Sequence, residues 1–328
     1  MEVAGEGMST ESLHEQVARE LLASAQVRGA ELERRVEQAM SPDFWADLVP
    51  ELTVGGRLPS DWDGAAALDA ATVDDVVERF DVEGYLQVAP LLPTAVSKRM
   101  QIGVERLIAN DWPAVFAWVF DECWRASRSP SLDAIFSRIL GPGYRQTPYV
   151  WTHIVGRARG AAGWPPHVDN PGDTLRLTVW IPVTDATVDT GCMCVIPRNL
   201  APPPVDGQRW YERGSLSKAE VRAVLHASRP LPARAGSVLG WDAGLVHWGL
   251  ARQAAGDPRM SLSMEFIAAD AAPEARDGAF ETGASPLPSH AERLATIAGG
   301  ITLYQASERG TVRYAALAER LSRELGRA

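Results

Sequence analysis

Six histidines in 328 residues are few enough to weigh one at a time. Two of them stand where they could act together with a carboxylate. His167 and Asp169 are separated by one residue, and on extended chain such a pair projects to the same side. Both could therefore reach adjacent positions on one ion. His247, far downstream, could complete a face from a second strand. Two imidazoles and one carboxylate on one face leave three positions open, which is the donor set of facial-triad non-haem Fe(II) sites. A lone His-x-Asp pair arises often by chance, and the bland alternative for His167 is a turn residue after Pro165-Pro166. The downstream context argues otherwise. His247 follows Gly236-Ser237-Val238-Leu239-Gly240-Trp241-Asp242, and Arg259 lies twelve residues beyond it. Arg259 and Ser261 would share one face of a strand. A guanidinium fork beside a hydroxyl suits one carboxylate held away from the metal. Taken alone, Arg259 would read as a strand-edge arginine.

Other chemistries find no footing. There is no Gly-x-x-x-x-Gly-Lys-Ser/Thr loop, no Gly-x-Ser-x-Gly elbow and no His-Glu-x-x-His helix. Gly156, Gly160 and Gly163 lack dinucleotide-fingerprint spacing. Acidic residues outnumber basic ones by 42 to 32, for a formal charge of -10, which argues against nucleic-acid binding. No apolar run approaches the length of a membrane span. The N-terminus has neither a basic n-region nor an apolar h-region, so the expectation is a cytoplasmic protein without a secretory signal. Three cysteines, Cys123, Cys192 and Cys194, cannot build a disulfide scaffold. The pair Cys192-Met193-Cys194 reads as strand core rather than a soft-metal site. With 46% hydrophobic and 23% charged residues the balance is globular.

The elements that must position these residues fall into three parts: a helical N-terminal extension over 1–75, a core over 76–289 and a helical segment over 290–328. In the first part Ser12 and Glu15 have capping-box spacing. Leu13, Val17 and Leu21, then Leu32, Val36 and Met40, recur every four residues, as on an amphipathic helix. Such helices pack on the body or, alternatively, form a homodimer. Thr72 to Phe80 reads as a helix with Val73, Val76, Val77 and Phe80 inward. Gly84 to Val88 reads as a strand, and a helix follows from Thr94 with Val96, Met100, Val104, Leu107 and Ile108 inward. Pro113 to Leu140 is helical, broken near Ser129-Pro130. Beyond Gly141-Pro142-Gly143 the pattern turns to β: Tyr149 to Val155, Thr174 to Ile181, Cys192 to Ile196, Gly236 to Trp241 and Arg259 to Ile267. In the second of these, Leu175, Leu177, Val179 and Ile181 alternate with Thr174, Arg176, Thr178 and Trp180. Short strands separated by Gly/Pro turns predict a sandwich or jelly-roll. The stretch 198–232, with Pro202-Pro203-Pro204, Trp210, Tyr211 and a short helix at Ser217 to Leu225, reads as an insertion. At the end, Tyr314, Leu317, Leu321 and Leu325 share a helix face.

Several ordered motifs together are similar to the phytanoyl-CoA dioxygenase (PhyH) family of Fe(II)/2-oxoglutarate-dependent oxygenases, over roughly Val76 to Ala268. They are Asp81-Val82-Glu83-Gly84-Tyr85-Leu86, His167-Val168-Asp169 and Val179-Trp180-Ile181-Pro182-Val183-Thr184-Asp185. Then come Thr190-Gly191-Cys192-Met193-Cys194-Val195-Ile196-Pro197, the Gly236-Ser237 strand ending near His247, and Arg259-x-Ser261. The resemblance implies a mainly β fold with flanking helices around a double-stranded β-helix, a cupin-like jelly-roll. It implies His167, Asp169 and His247 as catalytic iron ligands. Arg259 and Ser261 would hold the distal carboxylate of 2-oxoglutarate, with Trp180 and Thr178 beside it. The implied activity is a dioxygenase that uses O2, decarboxylates 2-oxoglutarate to succinate and hydroxylates an unactivated C–H of a small molecule. The Asp169 carboxylate favours hydroxylation, desaturation or ring formation over halogenation.

Where the family usually continues Gly-Ser-His after the Ile-Pro, this chain has Arg198-Asn199-Leu200, so the substrate entrance is expected to be rebuilt. Trp210 and Tyr211 could form a lid there. Arg176 on the cavity face would suit a substrate carboxylate; the alternative is a strand arginine paired with an acid. Trp164 and Trp241, with Trp151 and Trp248, could line an aromatic pocket, although core packing explains most tryptophans. Upstream, Tyr149 to Arg159 shows no familiar Lys or Gln cosubstrate contact; Thr152 and His153 are candidates, and a packed strand histidine is the bland reading of the latter. The expected substrate is amino-acid-like or a secondary-metabolite intermediate. The rival readings are a catalytically silent jelly-roll that binds a ligand or partner, and a zinc hydrolase using the same three ligands.

Overall fold

The computed structural model describes residues 26–56, 67–170, 172, 174–205, 208–271, 280–281, 286–305 and 308–326. The capping pair Ser12 and Glu15 and the Leu13-Val17-Leu21 stripe lie outside them, as does the part of the homodimer expectation that rests on that stripe. Among the described residues, the helices before the first strand are α1 (Gly29–Met40), α2 (Pro42–Leu48) and α3 (Ala70–Glu83). In α1 the inward residues are Arg35, Val36 and Ala39, while Met40 is exposed. The helix stops there because Ser41 caps α2 by accepting from Phe44 N, with Pro42 in the first turn. Arg35 is tolerated inside because its guanidinium lies over the Trp112 ring and donates to the Asp111 carbonyl at 2.9 Å. α3 begins at the Asp69 cap and buries Val73, Val76, Val77 and Phe80 as expected.

Strand β1 (Tyr85–Val88) leads to α4 (Thr94–Ala109), in which Val96, Met100, Val104 and Leu107 are buried. Ile108 faces solvent instead, because it sits one step, about 100°, around the helix from Leu107. The stretch from Pro113 to Leu140 is three pieces: a 3-10 helix at Ala114–Val119, α5 (Asp121–Arg125) and α6 (Pro130–Leu140), the last capped by Ser129.

The remaining strands are β2 (Arg145–Val155), β3 (Arg176–Pro182), β4 (Met193–Val195), β5 (Arg229–Leu231), β6 (Val238–Asp242), β7 (His247–Gly249), β8 (Arg259–Ile267) and β9 (Phe280–Glu281). They form a six-stranded sheet in the order β1-β6-β3-β8-β2-β9 and a three-stranded sheet in the order β5-β4-β7. Every pairing is antiparallel. An isolated antiparallel bridge from His167 to His247 adds the His167 segment beside β7. Helix α7 (Lys218–Ala227) and β5 both lie inside 198–232, and β5 pairs with β4, so part of that stretch belongs to the small sheet.

β3 is buried along its whole length yet keeps its alternation. Leu177, Val179 and Ile181 join the main core with the helices, whereas Trp180 joins a second cluster with Met193, Val195, Leu239 and Trp241, between the two sheets. The large sheet is therefore covered on one face by helices and on the other by the small sheet. Helix α8 (His290–Tyr304), opened by a Ser289/Glu292 capping box, packs on β2, and α9 (Ala315–Glu324) packs on α8 through buried Leu317 and Leu321. Trp118 Nε1 donates to the Trp151 carbonyl and ties the 3-10 helix to β2. Gly191, at φ +87°, makes the turn into β4 where a Cβ would meet the Leu250 carbonyl at 2.4 Å. Among the described residues no helix is long and apolar enough to cross a membrane.

Candidate metal centre and its cavity

The backbone brings the two histidines together. His167 N donates to the His247 carbonyl (3.1 Å) and His247 N to the His167 carbonyl (3.0 Å). Asp169 follows two residues on, anchored by its N–H to the Ala243 carbonyl (2.9 Å). One ligand atom from each of His167, Asp169 and His247 lies within 4.8 Å of the others. Both imidazole Nε2 atoms are 3.5 Å from the Asp169 carboxylate, one from each oxygen.

The tautomers follow from the neighbours. His167 Nδ1 is 2.7 Å from the Pro165 carbonyl and His247 Nδ1 is 3.0 Å from the Leu245 carbonyl. A carbonyl only accepts, so Nδ1 carries the proton in each ring and the Nε2 lone pair is left for a cation. Asp169 is oriented in the same way. Its Oδ2 accepts from Thr178 Oγ1 (2.7 Å) and from Trp241 Nε1 (3.1 Å), which leaves Oδ1, the oxygen beside His167 Nε2, for a cation. Thr178 and Trp241 are direct cross-strand partners of β3 and β6, so both reach the carboxylate from one sheet face. The Trp241 ring also packs on His247 at 4.4 Å. Burial opposes ionisation of Asp169, but His247, His167 and Thr178 outweigh it and hold the carboxyl well below its usual range. Burial lowers the pKa of His247, which favours the neutral ligand form. At His167 burial acts the same way, but the hydrogen bond and charge of Asp169 raise the pKa overall.

These residues open on a cavity of about 390 Å³ that also reaches Arg259, Trp180 and His153. Arg259 is 2% exposed. Its Nη1 donates to Ser261 Oγ (3.0 Å), its guanidinium lies over the Trp180 ring at 5.2 Å, and its Nε has no partner. Burial lowers its pKa to about 10, so it stays a cation at neutral pH. It has no carboxylate partner among the described residues, and a buried unpaired charge is costly unless something anionic meets it. Gly163 and Gly249 pass close over it. A Cβ on Gly249 would lie 2.8 Å from the Gly163 Cα and 3.3 Å from Arg259 Nη2.

The other expected residues divide. His153 lines the cavity, with Nε2 2.9 Å from Ser263 Oγ, whereas Thr152 does not. Trp164, Trp180 and Trp241 line it; Trp151 and Trp248 do not. Trp241 and Thr178, expected beside substrate and cosubstrate, both line the cavity and also hold the Asp169 carboxylate. Arg176, expected as a free handle for a substrate carboxylate, is buried away from the cavity and bonded to Glu265 at 2.8 Å. The reason is register: Arg176 sits at the far end of β3, opposite Ile267, and Glu265 on β8 lies between it and the cavity. Trp210 and Tyr211 line a different cavity of about 600 Å³, with Pro202, Pro203 and Pro204, that shares no residue with the first. No lid over the metal centre is formed by them. Lining residues that the sequence does not single out include Tyr149, Ser263, Glu265, Asn170, Leu303 and Tyr304. The last two come from α8, and no local motif ties that helix to the site.

Residues 118–261 match the family model described as phytanoyl-CoA dioxygenase (PhyH). The match spans 144 of the 328 residues. All three triad residues, Arg259 and Ser261 fall within it. The chain shares its fold with the non-heme alpha ketoglutarate dependent epimerase SnoN from nogalamycin biosynthesis, at 21% identity over 66% of this chain and 95% of that one, TM-score 0.51. A second SnoN structure, in complex with Fe3+, alpha ketoglutarate and nogalamycin RO, matches at 20% identity over 68% and 98%, TM-score 0.50. The non-heme monooxygenase ThoJ matches at 17% identity over 73% and 99%, TM-score 0.52. No curated protein sequence matches the chain.

Proposed function

We propose that this protein is an Fe(II)/2-oxoglutarate-dependent dioxygenase that hydroxylates an unactivated C–H of a small molecule. The observation that carries this reading is the buried, unpaired Arg259 in the cavity that His167, Asp169 and His247 open on. The donor set fits a ferrous ion, with two neutral imidazole nitrogens, one carboxylate oxygen and an open side toward the cavity. Arg259 and Ser261 fit the distal carboxylate of a keto diacid, and that anion would relieve the uncompensated guanidinium. The SnoN complex with Fe3+ and alpha ketoglutarate, on a similar fold, supports the same assignment. The strand orders, with the His167 segment beside β7, support a double-stranded β-helix core.

Bound iron with 2-oxoglutarate and O2 supplies the oxidising power, releasing succinate and carbon dioxide. The chain supplies the rest. The Pro165 and Leu245 carbonyls fix both ring orientations, Thr178 and Trp241 fix the carboxylate, and Trp180 flanks the guanidinium. Asp169 occupies the position that a halide would need, which favours hydroxylation over halogenation.

Anaerobic addition of Fe(II) and 2-oxoglutarate is expected to give a visible charge-transfer band that His167→Ala abolishes and Arg259→Ala weakens. Under air, succinate is expected to form. Wild-type protein that gives neither band nor succinate overturns the reading in favour of a silent ligand-binding jelly-roll. A hydrolytic activity indifferent to O2 and 2-oxoglutarate overturns it in favour of a zinc enzyme.

A further inference from the structure

With the metal face and Arg259 assigned as proposed above, one charged side chain lining the cavity is left without a task. Glu265 lies six residues after Arg259 on the same face of β8, and its Oε1 accepts from Arg176 Nη1. Arg176 does not line the cavity, so the group this wall presents is the Glu265 carboxyl, whose pKa burial raises to about 7 against the pull of Arg176. Tyr304, near the end of α8, lines the same cavity. Its ring is held between Trp151 (4.6 Å) and Trp164 (5.1 Å), and Trp164 Nε1 donates to Glu308 Oε1 at 2.6 Å. α8 comes this close because Gly300 packs on Trp151, 3.5 Å from where its Cβ would be. The Tyr304 hydroxyl has no hydrogen bond to a described residue. Burial, with the charges of Asp169 and Glu265 nearby, keeps it un-ionised and able to donate.

We infer that Glu265 and Tyr304 orient the substrate, and that this substrate is a hydroxyl-bearing small molecule rather than a carboxylic acid. The inference rests on the function proposed above and reverses the expectation of a carboxylate handle at Arg176. A hydroxyl donates to one oxygen and accepts from another, so it can bridge a carboxylate acceptor and a phenol donor. An ammonium satisfies Glu265 but has nothing to accept from Tyr304. A carboxylate would add a negative group beside Asp169 and beside the Glu265 carboxyl, whose ionisation burial already opposes. Leu303, Met264 and Trp164 supply apolar wall for the carbon skeleton. Tyr304 lies outside the residues that match the PhyH model, so this part of the selectivity belongs to α8.

The test uses full-length protein loaded anaerobically with Mn(II) and 2-oxoglutarate, and reads quenching of its tryptophan fluorescence. The probes are cyclohexanol, cyclohexylamine and cyclohexanecarboxylate, with benzyl alcohol, benzylamine and benzoate as a second set. The alcohols are expected to bind about tenfold more tightly than the matched acids, since a site built for a hydroxyl leaves its polar groups unpaired with other ligands. Tyr304→Phe is expected to lose about tenfold toward the alcohols, and Glu265→Gln to narrow the gap between alcohol and acid. Circular dichroism checks that each variant is folded; if one is not, the wild-type ranking decides alone. Acids binding as tightly as alcohols, no binding of either alcohol, or unchanged alcohol affinity in folded Tyr304→Phe overturns the inference. The charge-transfer band of wild-type protein tests the underlying function separately, and the ranking can be repeated without metal, so the two failures are distinguishable.

Discussion

His167 and His247 exchange both backbone hydrogen bonds across a single antiparallel bridge, and their rings lie 4.3 Å apart. The two imidazoles are thus placed by main-chain pairing before any ion binds. The segment around His167 is not a regular strand. It is pinned at His167 and again at Asp169 and Asn170, both of which donate to the Ala243 carbonyl.

Removing the groups that aim Asp169 should weaken metal binding without removing a ligand. Thr178→Val and Trp241→Phe each delete one donor to Oδ2, and loss of such outer partners costs ~10–100-fold in metal affinity. Calorimetric titration with Mn(II) should show that loss for each variant, smaller than the loss for Asp169→Ala. Unchanged affinity in both would mean that the carboxylate is positioned by its backbone alone.

Crowding Arg259 should act on the cosubstrate and spare the metal. In Gly249→Ala the new methyl group meets the Gly163 Cα and the guanidinium. A displaced charge-assisted contact of ~1.5–3 kcal/mol corresponds to roughly ten- to hundredfold weaker 2-oxoglutarate binding. The expected result is a raised KM for 2-oxoglutarate with near-normal Mn(II) affinity. Equal loss of both would show that the substitution disrupts β7 as a whole.

Stability of the metal-free protein should respond to pH through His153. Burial, reinforced by the Arg259 charge, lowers its pKa from 6.5 to about 3. Between those values the unfolded chain binds a proton that the folded chain does not, so this residue makes stability rise with pH from about 3 to 6.5 and level off above. His153→Gln should flatten the urea-unfolding free energy over that window relative to wild type. A slope identical to that of wild type would show that the ring is free to protonate in the fold.

The tie between Trp164 and Glu308 should matter to the substrate wall more than to the fold. Glu308→Ala removes the acceptor of the Trp164 indole N–H at one end of the Tyr304 sandwich. A half-buried pair of this kind contributes about 1 kcal/mol, so the melting temperature should fall by only a few degrees. The tryptophan emission should shift toward that of exposed indole. An unchanged spectrum would show that Tyr304 alone holds the ring.

What the sequence determined by itself was local. The one-residue spacing of His167 and Asp169, the alternation through β3 and the two-residue step from Arg259 to Ser261 depend only on strand geometry, and the structure keeps all three relations. Helix faces were legible where i, i+3 and i+4 positions agreed, as in α3. They failed at Met40 and Ile108, which sit where a helix ends or one step off its inward face. The PhyH resemblance was legible because its motifs lie in order along one chain.

Tertiary structure decided what those side chains meet. Thr178 and Trp241 turn to Asp169 because β3 and β6 pair in one register, and nothing in either strand alone says so. Arg176 has the same face parity as Thr178 and Trp180, yet Glu265 from β8 stands between it and the cavity. Parity follows from the chain's own period of two, whereas distance along a strand from the metal depends on which strand lies beside it. Tyr304 is the furthest case: it reaches the site only because α8 packs across β2, a contact between segments about 150 residues apart that no local pattern encodes.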